Sequence, residues 1–377
     1  MTSSFRLGRV AGVEVGVNWS VLIVFVLLAW LLAAGRLPAG YPGRPGWAYA
    51  VAGLSAAAVF LLGLLAHEVS HAVLARRNGL QVEGITLWVF GGVARLRGEP
   101  STPGADARIA GVGPLVSLLI GVGFAAVAAV LAAAGAGLAV GTVRWLAWIN
   151  VLLAAFNLFP AAPLDGGRLL RAGLWKWRGD RAWATAAAAR AGQGFGAVLI
   201  AVGFVQLASG AAFGGLWLLL IGWFIVAAAG AERRQAELGK ALAGIRVADV
   251  MTPDPVTAPA DLTVADFVDH ELREARHSAI PLVDESGPAG LVTLARLRRV
   301  PPQQRASTRL RDAACPMSEV PVARPDEAIV DLVPRLSGST DGRALVVSEG
   351  RLVGVVSPRD VRRVVQRAAL RQSVAGR

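Results

Sequence analysis

WAYAVAGLSAAAVFLLGLLAHEVSHAVLA, residues 47–75, decides the fold. A bilayer core is crossed by about 20 consecutive apolar residues in a helix. This run exceeds that length, and its only Asp, Glu, His, Lys or Arg residues are His67, Glu68 and His71. Working outward, five more apolar runs appear: Trp19–Ala34, Ile109–Ala134, Val140–Phe159, Ala184–Ala208 and Phe213–Ala229. The 377-residue chain is 54% hydrophobic and only 17% charged, with a mean hydropathy of +0.53. Soluble domains carry about 25% charged residues. A soluble globular enzyme is therefore excluded, and so is a disordered chain. The single cysteine, Cys315, rules out a disulfide-stapled secreted fold. No small-residue cleavage site follows the first run convincingly, so a cleavable signal peptide is not expected.

The net charge of +12 is unevenly spread. Residues 247–377 hold 18 basic and 17 acidic residues, whereas residues 1–246 hold 20 and 9. The surplus sits in the apolar part, which argues against a nucleic-acid-binding module. It fits the excess of Lys and Arg on cytoplasmic loops of membrane proteins. Arg76, Arg77, Arg95, Arg97 and Arg108 follow the second run, and Arg168, Arg171, Lys176, Arg178 and Arg181 follow the fourth. The opposite loops carry little charge. Six spans with both termini on the cytoplasmic side of the cell membrane account for the pattern. Between spans two and three, LQVEGITLWVFGGVARL (80–96) reads as one or two strands with a turn, a short membrane-associated β region.

Past Gly244 the composition becomes ordinary and a repeat appears. One copy runs from Val247 to Val300, the other from Leu310 to Val365. Each has a proline-marked entry, a helix-like stretch and two strand-like runs. His270 and His277 read as polar residues of the first copy. The expected boundaries are 1–240 for the membrane domain, and 245–302 and 308–370 for the repeats.

His67-Glu68-Val69-Ser70-His71 places two imidazoles four residues apart. On a helix they share a face and can reach one metal, with Glu68 beside them to take a proton from water at that metal. Ionisable groups at this depth are costly unless paired or ion-bound. A hydrolytic zinc site needs a third protein ligand and one open position. Asp165 is the candidate, in Asn157-Leu-Phe-Pro160-Ala-Ala-Pro163-Leu-Asp165-Gly166-Gly167-Arg168. Prolines and glycines break the helix there, as lining of a wet, protein-walled cavity permits.

HEVSH together with NLFPAAPLDGGRLLRA resembles the site-2 protease family of intramembrane zinc metalloproteases; GGVA (91–94) and GPLVSLL (113–119) are similar too. The paired repeats resemble a tandem CBS module, an α/β fold. The resemblance implies a polytopic α-helical membrane protein of about six spans with a C-terminal CBS pair. It implies zinc held by His67, His71 and Asp165, Glu68 as catalytic acid/base, and Asn157 near substrate or oxyanion. The substrate would be a membrane-anchored regulatory protein cut in or near its transmembrane segment, with membrane lipid as surroundings. Segment 80–96 either pairs with unwound substrate or is a structural re-entrant hairpin. CBS copies often bind adenine nucleotides such as ATP through G-h-h-[ST]-x-x-D. The second copy keeps Gly354, Ser357 and Asp360, whereas the first has Arg296 in place of the aspartate. A scaffold without ligand, or a homodimer through the CBS pair, fits as well. Two other readings of the whole remain: a metal-handling transporter or channel with a CBS regulatory domain, and a pseudo-enzyme that only binds helices.

Overall fold

The computed structural model describes residues 4–89, 91–271, 278–285, 287–336 and 340–375; His277 lies outside them. It forms two compact units, Met1–Ala236 and Glu237–Arg377.

In the first unit, six helices are long and apolar enough to cross a membrane. They are α1 (Ser20–Gly40), α2 (Gly46–Arg77), α3 (Pro103–Ala133), α4 (Gly137–Asn157), α6 (Arg181–Ala208) and α7 (Ala212–Leu242), separated between the fourth and fifth by the shorter α5 (Asp165–Arg178). Their outer faces are Leu22, Val26, Leu119, Val130, Trp148, Phe204 and Trp223, all exposed. Only 17–33% of each span's most apolar window is buried within the protein. Apolar surface on that scale is unworkable in water and natural in lipid. The chain is a multi-pass membrane protein. Between spans, small residues let backbones approach closely. Gly196 and Gly203 on α6 face Gly222 and Gly215 on α7, where a methyl at either α6 position would lie 2.7–2.9 Å from a backbone oxygen.

α5 corrects the sequence reading, which left residues after the fourth apolar run as a charged loop. Asp165 sits in its first turn, Lys176 and Arg178 in its last, and Gly179 closes it in the left-handed conformation. Acidic start, basic end and left-handed glycine are the usual terminators of a helix. At 14 residues it is too short to cross the bilayer.

The β region is larger than expected. β3 (Gln81–Trp88) and β4 (Gly91–Arg97) form the anticipated hairpin, but β1 (Phe5–Val10) and β2 (Val13–Val17) join it. The order is β1-β2-β3-β4, with β2 parallel to β3 through Val15↔Ile85 and Val17↔Leu87. β4 is an edge strand. Val13, Ile85 and Leu87 bury one sheet face with Val21 of α1 and Ala72 of α2.

The second unit holds two four-stranded sheets. β5 (Thr252–Pro253), β6 (Ala258–Pro259), β7 (Ala279–Asp284) and β8 (Gly287–Thr293) come from the first repeat, and β9 (Cys315–Pro316) from the start of the second. β10 (Val322–Ala323), β11 (Ala344–Ser348) and β12 (Arg351–Val356) come from the second, followed by α8 (Pro358–Ala375). The repeats exchange edge strands: β5 pairs with β12, and β9 with β8. Each sheet thus needs chain from outside its own repeat, so the pair folds as one body.

Candidate metal centre

α2 carries His67 and His71 one turn apart, both buried. α5 begins at Asp165, whose largely buried carboxylate lies 3.2 Å from both Nε2 atoms. The two Nε2 atoms are 3.1 Å from each other. Two histidines four residues apart and a carboxylate at least 94 residues further along the chain thus present three ligand atoms in a nearly equilateral triangle. Tetrahedral zinc about 2.0 Å from each ligand would hold them about 3.3 Å apart.

The outer nitrogens explain the arrangement. His71 Nδ1–H donates to the Ile109 carbonyl at 2.6 Å. A carbonyl only accepts, so the proton sits on Nδ1 and the Nε2 lone pair faces inward. His67 Nδ1 lies 2.9 Å from the buried Ser117 hydroxyl. Converging lone pairs from two imidazoles and a carboxylate repel unless a cation lies among them, so this donor set fits zinc. The α5 amino end favours the Asp165 negative charge.

Three features beyond the sequence-expected residues shape this pocket. Gly113 on α3 backs it: a methyl there would lie 2.6 Å from His67 Nε2 and closer still to His71 Nε2. Gly92 on β4 donates its N–H to Glu68 Oε1 at 3.1 Å, and a methyl there would meet the Glu68 side chain. Asp106, fully buried on α3, is held by Arg171 and Arg168 of α5. Burial disfavours the Arg171 charge, yet the Asp106 carboxylate more than compensates and raises the guanidinium above its ordinary value. Gly113 and Ser117 belong to GPLVSLL and Gly92 to GGVA, segments whose family likeness was visible without their roles. Asp106 had no sequence signal beyond being one of few acidic residues in the apolar part.

Asn157 ends α4, and its amide donates back to the Leu153 carbonyl at 3.0 Å. Between it and Asp165, residues 158–164 pack against the next helix so closely that methyls at Gly166 and Gly167 would strike the backbone of Leu158 and Ala162. In the second unit, Ser357 and Asp360 are neighbours at the start of α8: Ser357 Oγ donates to Asp360 Oδ2 at 2.6 Å. Both line a cavity of about 480 Å³ that also takes in Arg343, Arg359, Arg362 and Arg363. At the matching place in the first repeat, Arg296 points instead to the Ala314 carbonyl, 2.9 Å away.

Comparison with known proteins identifies the families of both parts. Residues 55–137 and 130–203 match Peptidase family M50, and residues 247–302 and 310–367 match the CBS domain. The chain is 45% identical over 368 residues to the "Putative zinc metalloprotease Rip3" of Mycobacterium tuberculosis, covering 97% of this chain and 93% of that one. The chain belongs to peptidase family M50. This M50 chain is also 33% identical to the "Putative zinc metalloprotease sll0528" of Synechocystis, over 71% of its own length and 69% of the relative's. Among solved structures, the site-2 protease from Methanocaldococcus jannaschii is 26% identical, with a TM-score of 0.41, covering 61% of this chain and 95% of that one.

Proposed function

We propose that this M50 protein is an intramembrane zinc endopeptidase that hydrolyses peptide bonds in or near transmembrane segments of membrane-anchored proteins. The observation that carries the reading is the triangle of His67, His71 and Asp165 ligand atoms, 3.1–3.2 Å apart, with Glu68 one residue from the first ligand. His67, His71 and Asp165 would hold the ion. When bound there, zinc supplies Lewis acidity toward water and the scissile carbonyl. Glu68 takes a proton as the water oxygen bonds to the carbonyl carbon. It delivers that proton to the nitrogen as the C–N bond breaks. The Gly92 N–H fixes the Glu68 carboxylate while leaving its second oxygen for this transfer. Asn157 would serve substrate or oxyanion after releasing Leu153.

A helical substrate hides its amides in its own hydrogen bonds, so it must unwind to be cut. The edge of β4 offers pairing for an unwound segment, and the same strand carries the Gly92 that touches Glu68. Arg76 and Arg77 end α2 five and six residues past His71, about 8–9 Å along the helix. Read with the other basic loops, they support a site near the cytoplasmic face, with both termini and the CBS unit in the cytoplasm. The arginine-rich cavity beside Ser357 and Asp360 suits an adenine nucleotide with phosphates, such as ATP. The first repeat, with Arg296 there, does not. Pairing of CBS units between chains would make a homodimer.

The test is Glu68→Gln with a transmembrane substrate in proteoliposomes. The proposal predicts cleavage abolished with bound zinc retained. Continued cleavage overturns it, and metal flux that survives the substitution identifies a transporter.

A further inference from the structure

We propose that Asp106 is a positioning residue for the metal site: gripped by Arg171, it sets the register of α5 against α3 and so places the Asp165 carboxylate. The inference rests on reading His67, His71 and Asp165 as metal ligands.

Asp106 is fully buried in the first turn of α3. A lone carboxylate there would be costly, and it is not alone. Arg171 Nε donates to Oδ2 at 2.9 Å and its Nη2 to Oδ1 at 2.8 Å, a two-pronged fork that fixes both distance and orientation. Arg168 adds a longer bond at 3.3 Å to Oδ1. The remaining Arg171 amine reaches Glu232 Oε1 on α7, also at 3.3 Å. Both arginines stand in the first two turns of the helix that Asp165 begins. Asp165 directly follows a loop, so no earlier helical turn fixes it. Besides the packed loop 158–164, its place follows from what grips the next two turns.

α3 carries the other half of the argument. Asp106, Ile109, Gly113 and Ser117 recur at intervals of three and four, along one helix face. Ile109 accepts from His71, Gly113 makes room for both Nε2 atoms, and Ser117 meets His67. Asp106 is the fourth rung, facing α5. One helix face thus orients both imidazoles and, through a salt bridge, the carboxylate. Ligand-orienting groups of this kind change metal affinity about 10–100-fold when removed.

The experiment uses the full chain in detergent. Zinc affinity is measured by chelator competition, and site geometry by the visible spectrum of the Co2+-loaded protein. Asp106→Asn, which keeps the shape and removes the charge, should weaken zinc about 10–100-fold and shift the cobalt spectrum. Arg171→Lys keeps the charge but cannot make the fork, so it should err in the same direction by less. It decides the matter should Asp106→Asn not fold. Asp165→Ala should weaken zinc more than either. Wild-type affinity and spectrum in the Asp106 and Arg171 variants, even with a lowered melting temperature, overturns the positioning role while Asp165→Ala is impaired. Wild-type affinity in Asp165→Ala overturns the metal reading itself.

Discussion

Replacing Gly113 by Ala should destroy metal binding without touching a ligand. On propensity alone the change is favourable, since alanine in a helix interior gains roughly 0.5–1 kcal/mol over glycine. The site dictates the opposite sign. The new methyl would lie 2.6 Å from His67 Nε2. An ordinary contact starts at 3.4 Å. The imidazole must therefore retreat by about 0.8 Å, and His71, which is closer, by more. Metal–ligand distances tolerate about ±0.2 Å. A displacement several times that tolerance removes at least one ligand, so we expect zinc affinity to fall by 100-fold or more, about 3 kcal/mol. The assay is chelator competition on purified protein, with substrate cleavage alongside. The control is Gly123→Ala on the same helix, where a methyl meets nothing within 4 Å; it should bind and cleave as wild type. Gly113→Ala with wild-type affinity and activity would refute the pocket geometry.

Other substitutions separate the parts of the site. Gly92→Ala places a methyl against the Glu68 carboxylate, so kcat should fall at least tenfold while zinc affinity stays within about twofold; equal losses in both would contradict the assigned contact. Ser117→Ala removes the partner of His67 Nδ1 and should weaken zinc about 10–100-fold by chelator competition, with unchanged affinity counting against that hydrogen bond. Asp360→Ala breaks the Ser357 cap of α8 and should destabilise the second unit by about 1 kcal/mol in thermal melts, with proteolysis unaffected in the absence of nucleotide. A labelled ATP analogue that binds wild type should lose affinity in Arg363→Ala, and binding unchanged by it would remove this cavity as the site.

The spans were legible because lipid imposes one strong rule, a long apolar run, that needs no knowledge of neighbours. His67, Glu68 and His71 were legible because a helix brings positions four apart together whatever else the chain does. Asp165 was a candidate by elimination among few acidic residues, and its convergence with the imidazoles is visible only in three dimensions. What escaped depends on distant partners. β2 is a five-residue segment whose pairing exists only because β3, some 70 residues on, runs beside it. α5 was hidden by its charge: its arginines read as loop topology, whereas Arg171 is turned inward onto Asp106. Gly113 and Ser117 carry no chemistry of their own; they matter through the imidazoles that they admit and orient.

The most direct measurement is the zinc content of purified full-length protein, wild type beside His67→Ala and Asp165→Ala. A site shared by two helices predicts about one zinc per chain in the wild type and sharply less in each variant. A full complement of zinc in the Asp165→Ala protein would contradict it.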